Sequence, residues 1–246
     1  MLITDDLSLR QETRTSATRL PPALWDDLFP PGLISELHDH PFLRRCREGR
    51  ATLELLRGFL VQHSYYSEKF TRYLCALMSR MPTGDDLRAL AANLVEEMGL
   101  DHAGGETHAQ MYRRCLVEVG AVPNSTPMLP ETGALIDNMF HYCMSRDPLE
   151  GLAALCLGAE AIVPTLYGGI LDALRRAGFD DDQLQFFVLH VSEDEAHALV
   201  MRDIIRRLLA EHPHRRSKVL AIGEDLVRLR MAMLDAVLAC FSDAKA

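Results

Sequence analysis

The chain has 246 residues, with 35 Asp+Glu against 26 Lys+Arg for a net charge of −9, 48% apolar residues and 7% aromatics. That is apolar material for one full core, and the acidic balance speaks against nucleic-acid or anionic-membrane partners, which favour a basic face. Ten histidines, no two adjacent, raise the useful question of which share a helical stripe with carboxylates.

Residues 1–20 form a polar arm, and residues 21–246 are expected to form one all-α domain of roughly eight helices, since helical periodicity dominates after residue 20. Pro21, Pro22, Pro30 and Pro31 punctuate a short first helix, and His40-Pro41 opens a second segment. Residues 52–81 read as one long helix, with Leu56, Phe59, His63, Tyr66, Phe70, Tyr73 and Leu77 recurring at three to four. Asp85 is the expected cap of a helix that stops at Gly99. Further helices are expected over 106–119, 131–145, 148–177 with a kink near Pro164, 180–211 and 216–241.

The segment 151–171 holds one charge, Glu160, and is long enough to span a bilayer. Pro164 interrupts it, so a buried core helix carrying one carboxylate is the better reading. The six cysteines are scattered without a C-x-x-C, which fits a reducing compartment better than a disulfide framework. The first residues are acidic where a signal peptide is basic and apolar. A cytoplasmic protein is expected.

The chemistry concentrates in four places. His190, Asp194 and His197 stand at i, i+4 and i+7, one narrow stripe that continues as Met201, Ile204 and Leu208. Burying three ionisable groups is costly unless each finds a partner or a metal; a satisfied core cluster and a metal site are both open on this motif alone. Glu160 lies in the most apolar stretch, and Pro164 withholds the amide that would bond its carbonyl. Such a carboxylate is neutral, paired or ligated. Glu97 extends the Leu90–Leu94 face, whereas Glu96 points elsewhere. His108 begins the next helix, with His102 in the loop as its rival. Glu68 lies within the 52–81 helix, where a surface role and a role in the site are evenly weighed. This oxygen- and imidazole-rich set suits iron or manganese better than zinc, since the cysteines do not cluster. H-E-x-x-H, G-x-S-x-G and P-loop patterns are absent from the sequence.

Taken in order, these motifs resemble the haem-oxygenase-like di-iron oxidases, relatives of the chlamydial death-domain-associated protein, TenA and pyrroloquinoline-quinone synthase. The likeness covers roughly residues 38–241. It rests on His40-Pro-Phe, Phe59 to Leu74, Asn93-Leu-Val-Glu-Glu97-Met-Gly99 followed by His108 and Gly120, Glu160-x-x-x-Pro164, and His190-x-x-x-Asp194-x-x-His197. The resemblance implies six ligands, Glu97, His108, Glu160, His190, Asp194 and His197, holding two irons that react with O2. N-oxygenases of the family carry a further Glu on the first core helix, for which Glu68 is the counterpart. Tyr65, Tyr66 and Arg72 are expected at the substrate pocket. The implied reactions are N-oxygenation, desaturation or oxidative C–C cleavage of a small amino-acid-like or other small organic molecule. A homodimer and an external electron donor are further expectations. Two other readings stand beside this one: a metal-independent enzyme of the TenA or quinone-synthase type, TenA proteins using a Cys nucleophile, and a non-enzymatic interaction protein on the same fold. Neither needs the His-x-x-x-Asp-x-x-His set.

Overall fold

A computed structural model describes residues 25, 27–101 and 105–242, with the backbone alone at 192–195. The polar arm expected at 1–20 lies outside the described residues, as does His102. Two short helices come first, α1 (Leu33–His38) and α2 (Pro41–Arg47). They precede α3 (Leu53–Ser67), α4 (Phe70–Met78), α5 (Gly84–Glu97), α6 (His108–Glu118) and α7 (Pro130–Cys143). Then α8 (Pro148–Gly158) leads through a 3-10 turn (Glu160–Ile162) into α9 (Val163–Arg176). The long helices α10 (Gln185–Glu211) and α11 (Arg216–Phe241) complete the chain. No strand occurs among the described residues, as the periodicity requires.

At the centre is α8. It is apolar on every side, so no face of it tolerates water, and it packs against α7, α10 and α11. The crossing with α11 is set by small residues: a methyl on Gly158 would come within 2.6 Å of Leu226, and one on Gly223 within 2.9 Å of Leu157. The apolar stretch that could have spanned a bilayer is thus the core of the bundle, its most apolar window 94% buried.

Three boundaries differ from the sequence expectation. The helix expected over 52–81 divides at Glu68 and Lys69, where the amide of Lys69 bonds the carbonyl of Tyr66, three residues back, at 3.1 Å. No Gly or Pro marks this break. The two halves follow different neighbours: α3 packs on α6, α7 and α11, whereas α4 packs on α5, α7 and α8. The cap of α5 is Thr83 rather than Asp85, its hydroxyl accepting from the amide of Asp86 at 3.1 Å. The kink near Pro164 is a full interruption. Ala159 sits at φ −128, ψ −80, and the carbonyl of Glu160 is taken by the amide of Val163 instead of a residue four on. Pro164 then fits the first turn of α9, where its missing N–H costs nothing.

Candidate metal centre

Three helices converge on one buried cluster. Ligand atoms of Glu97, His108 and His190 lie within 4.8 Å of one another, and all three residues are buried. His108 Nδ1 stands 3.0 Å from Glu97 Oε1. Each position is fixed by local chemistry. Glu97 is the last residue of α5, which a Schellman turn closes: the amide of Leu100 bonds the carbonyl of Val95, and that of Gly99 the carbonyl of Glu96, both at 2.9 Å. Gly99 has φ +61, and an added Cβ there would lie 2.7 Å from the carbonyl oxygen of Glu106. Gly105 faces it backbone to backbone, also without room for a side chain. His108 then opens α6 behind Thr107, whose hydroxyl and amide form a capping box with Gln110. The two glycines pinch the loop shut, so the end of α5 and the start of α6 meet.

His190 comes from the interior of α10, which packs on α5, α6 and α9. Its Nδ1 lies 2.6 Å from the carbonyl of Phe186. A carbonyl only accepts, so Nδ1 carries the proton and Nε2 keeps its lone pair, the arrangement a metal-binding imidazole needs. Burial holds its pKa down to about 4, against the opposing pull of Glu97, so the ring is neutral at neutral pH.

Glu160 approaches from the 3-10 turn after α8, 3% exposed. Oε1 accepts from Asn93 Nδ2 at 2.7 Å. Oε2 has no hydrogen-bond partner among the described residues. Burial pushes this carboxyl well above the ordinary range; the bond from Asn93 opposes that, and the charges of Glu97 and Glu96 add to it. A buried carboxylate with one idle oxygen beside another carboxylate and two imidazoles is poorly served as a structural element and well served as a cation ligand. The donor set therefore fits a hard or borderline divalent metal.

A cavity partly open to solvent adjoins the cluster. Glu97, His108, Glu160 and His190 form its polar side, and Phe70, Val163, Leu166 and Phe186 much of its apolar side. Tyr66, Tyr167 and Arg230 also face it.

The other expected residues are placed as follows. His197 lies one to two turns further along α10 and meets Glu96, not Glu97, with Nε2 2.9 Å from Oε2. The side chain of Asp194 is outside the description. Glu68 caps α3 and pairs with Arg113 at 3.0 Å, away from the cavity wall. Tyr65 donates to the carbonyl of Thr126 at 2.8 Å, and Arg72 is exposed; of the three expected pocket residues only Tyr66 reaches the cavity. Sequence reasoning passed over Arg230 and Tyr167. A charge in the middle of the apolar stripe Leu226, Arg230, Leu234 was the available signal for the first; an aromatic in an apolar helix gave none for the second. No cysteine lines the cavity, and burial raises the thiols of Cys46, Cys115 and Cys143 to about 12, so the wall lacks a TenA-type nucleophile.

A buried carboxylate–imidazole cluster beneath a cavity, held by an all-α bundle, is the donor set of a helical metal-binding protein. Residues 57–231 match the family of iron-containing redox enzymes, and the chain belongs to that family. It is 29% identical over 199 residues to 4-aminobenzoate synthase of Nitrosomonas europaea, covering 75% of this chain and 78% of that protein. It is 29% identical over 163 residues to 4-chloro-allylglycine synthase of Streptantibioticus cattleyicolor, covering 65% of this chain and 62% of that one. The fold is that of a TenA homologue from Pseudomonas syringae pv. tomato, with a TM-score of 0.75 at 15% identity over 88% of this chain and 91% of that structure.

Proposed function

We propose that the protein is a di-iron oxygenase that uses O2 to oxidise a small organic, amino-acid-like substrate. The observation that carries the reading is the convergence of Glu97, His108 and His190 on one buried point at the cavity. These three would hold one iron. Glu160 offers its idle Oε2 to the same region, and Asp194 and His197 would supply the rest of a second site. When bound, iron supplies the coordination site for O2 and the electrons that reduce it.

The chain's own contribution is placement and exclusion. Phe186 accepts the His190 proton through its carbonyl and so aims Nε2. Asn93 turns Glu160 by holding Oε1. Phe70, Val163 and Leu166 keep bulk water from the reacting face. The cavity opens beside the cluster and is lined on its other side by Phe70, Val163, Leu166 and Phe186, a wall suited to the apolar part of a small organic molecule. The two similar enzymes are named for products of this scale, each carrying an amine and a carboxylate. The reaction belongs among N-oxygenation, desaturation and oxidative C–C cleavage, and would draw on an external electron donor. The protein acts in the cytoplasm as a homodimer.

Anaerobic titration with Fe(II), followed by mixing with O2 under stopped-flow absorbance, tests the proposal. Two irons per chain and a transient visible band are expected. A freshly prepared apo-protein that takes up no iron overturns it.

A further inference from the structure

Among the described residues, Arg230 is the only side chain of fixed positive charge that lines the cavity. It is 1% exposed, in the interior of α11 and on the apolar stripe of that helix. Among the described residues no carboxylate forms an ion pair with it within 4.0 Å. Its guanidinium carbon stands 4.0 Å from the centre of the Tyr66 ring, and Nη1 is 3.4 Å from His63 Nδ1. Nε has no hydrogen-bond partner.

These contacts fix the group and leave its charge unanswered. Guanidinium only donates, so His63 Nδ1 is the acceptor and the His63 proton sits on Nε2, which meets the Tyr167 oxygen at 2.6 Å. His63 thus serves as a neutral brace. The aromatic face of Tyr66 stabilises a cation without neutralising it. A buried cation without a counter-anion is costly, and a fold keeps one where an anion arrives from outside. A rigid, planar fork facing a small cavity is built to receive a carboxylate through two parallel N–H bonds.

We propose that Arg230 binds the carboxylate of the substrate and so selects small carboxylates over their neutral analogues. This rests on the di-iron oxygenase reading for the chemistry, but the binding claim is separable from it. Bound in this way, the carboxylate end sits against α11 and α3, and the remainder of the molecule lies in the cavity on the side of His108 and His190.

The test is calorimetric binding of matched pairs to the full chain: 4-aminobenzoate and 4-aminobenzamide, hexanoate and hexanamide, norleucine and norleucinamide. It is run both metal-free and loaded with Fe(II) under nitrogen. At least one carboxylate is expected to bind ten-fold or more tightly than its amide in both forms. Arg230→Gln should abolish that preference while retaining the helical spectrum. Arg230→Lys, which keeps the charge and loses the fork, should retain a reduced preference, and it carries the test if the glutamine variant does not fold. Absence of preference in the wild-type chain for all three pairs overturns the proposal, as does a preference that either folded variant leaves unchanged. Iron stoichiometry and O2 consumption are recorded on the same samples. A carboxylate-selective protein without two irons or O2 uptake refutes the oxygenase reading alone. A two-iron, O2-consuming protein without selectivity refutes the role of Arg230 alone.

Discussion

Asn93 Nδ2 donates a 2.7 Å hydrogen bond to Glu160 Oε1, joining the last turns of α5 to the turn between α8 and α9. One carboxylate oxygen is thereby held and the other is left idle. Removing a group that orients a metal ligand characteristically costs about 10–100-fold in metal affinity. Asn93→Ala is therefore expected to weaken Fe(II) binding by about that factor while leaving the helical spectrum unchanged, measured by anaerobic titration. Wild-type affinity in the variant would remove Asn93 from the site.

The second prediction concerns the pinched loop. Gly99 and Gly105 meet backbone to backbone, and a Cβ on either collides with main-chain atoms that have nowhere to go. Gly105→Ala is expected to destabilise the protein by about 1–3 kcal/mol in urea unfolding, the usual cost of forced backbone strain. It should also lower iron affinity, because the Glu97–His108 distance depends on that contact. A fully stable variant with wild-type iron binding would show that the loop adjusts without moving its ends.

His197 tests the two-iron stoichiometry. It stands beside Glu96 and apart from the Glu97–His108–His190 cluster. His197→Ala should therefore leave the first iron and lose the second, so that titration falls from two equivalents to one. Two equivalents in the variant would exclude His197 as a ligand.

Acid stability follows from histidines held neutral. His40 Nδ1 accepts from the amide of Phe42 at 3.2 Å and caps α2. Burial holds its pKa below the usual imidazole range, outweighing the upward pull of Asp235. Between that lowered value and about 6.5 the unfolded chain binds more protons than the native one. The stability this group provides is complete above about pH 6.5 and is lost as pH falls through that window. Asn also caps helices but does not titrate. His40→Asn is expected to show a shallower dependence of unfolding free energy on pH between 7 and 5. An unchanged slope would assign the whole effect to His63 and His190, which burial shifts in the same direction.

Much of this site could be read from residue spacing, because ligands on regular helices announce themselves by period. His190 interrupts an apolar stripe, and Glu160 interrupts an apolar run. The two-residue break at Glu68 and Lys69 left no trace, since packing against different neighbours produced it. Asp85 and Thr83 are both plausible caps in the sequence; only the geometry of the first turn chose the hydroxyl. Arg230 is the instructive omission. Nearby Arg228 is exposed and pairs with Glu224 one turn back, as surface arginines do. Two positions on, the same residue type faces the core, and only its register with Leu226 and Leu234 distinguishes it.

The clasp between Gly99 and Gly105 has an evolutionary corollary. Main chain meets main chain at these two positions, so selection there acts through backbone contact and not through any side-chain chemistry. A lineage that keeps both glycines keeps the approach of Glu97 to His108, whatever side chains it changes around them.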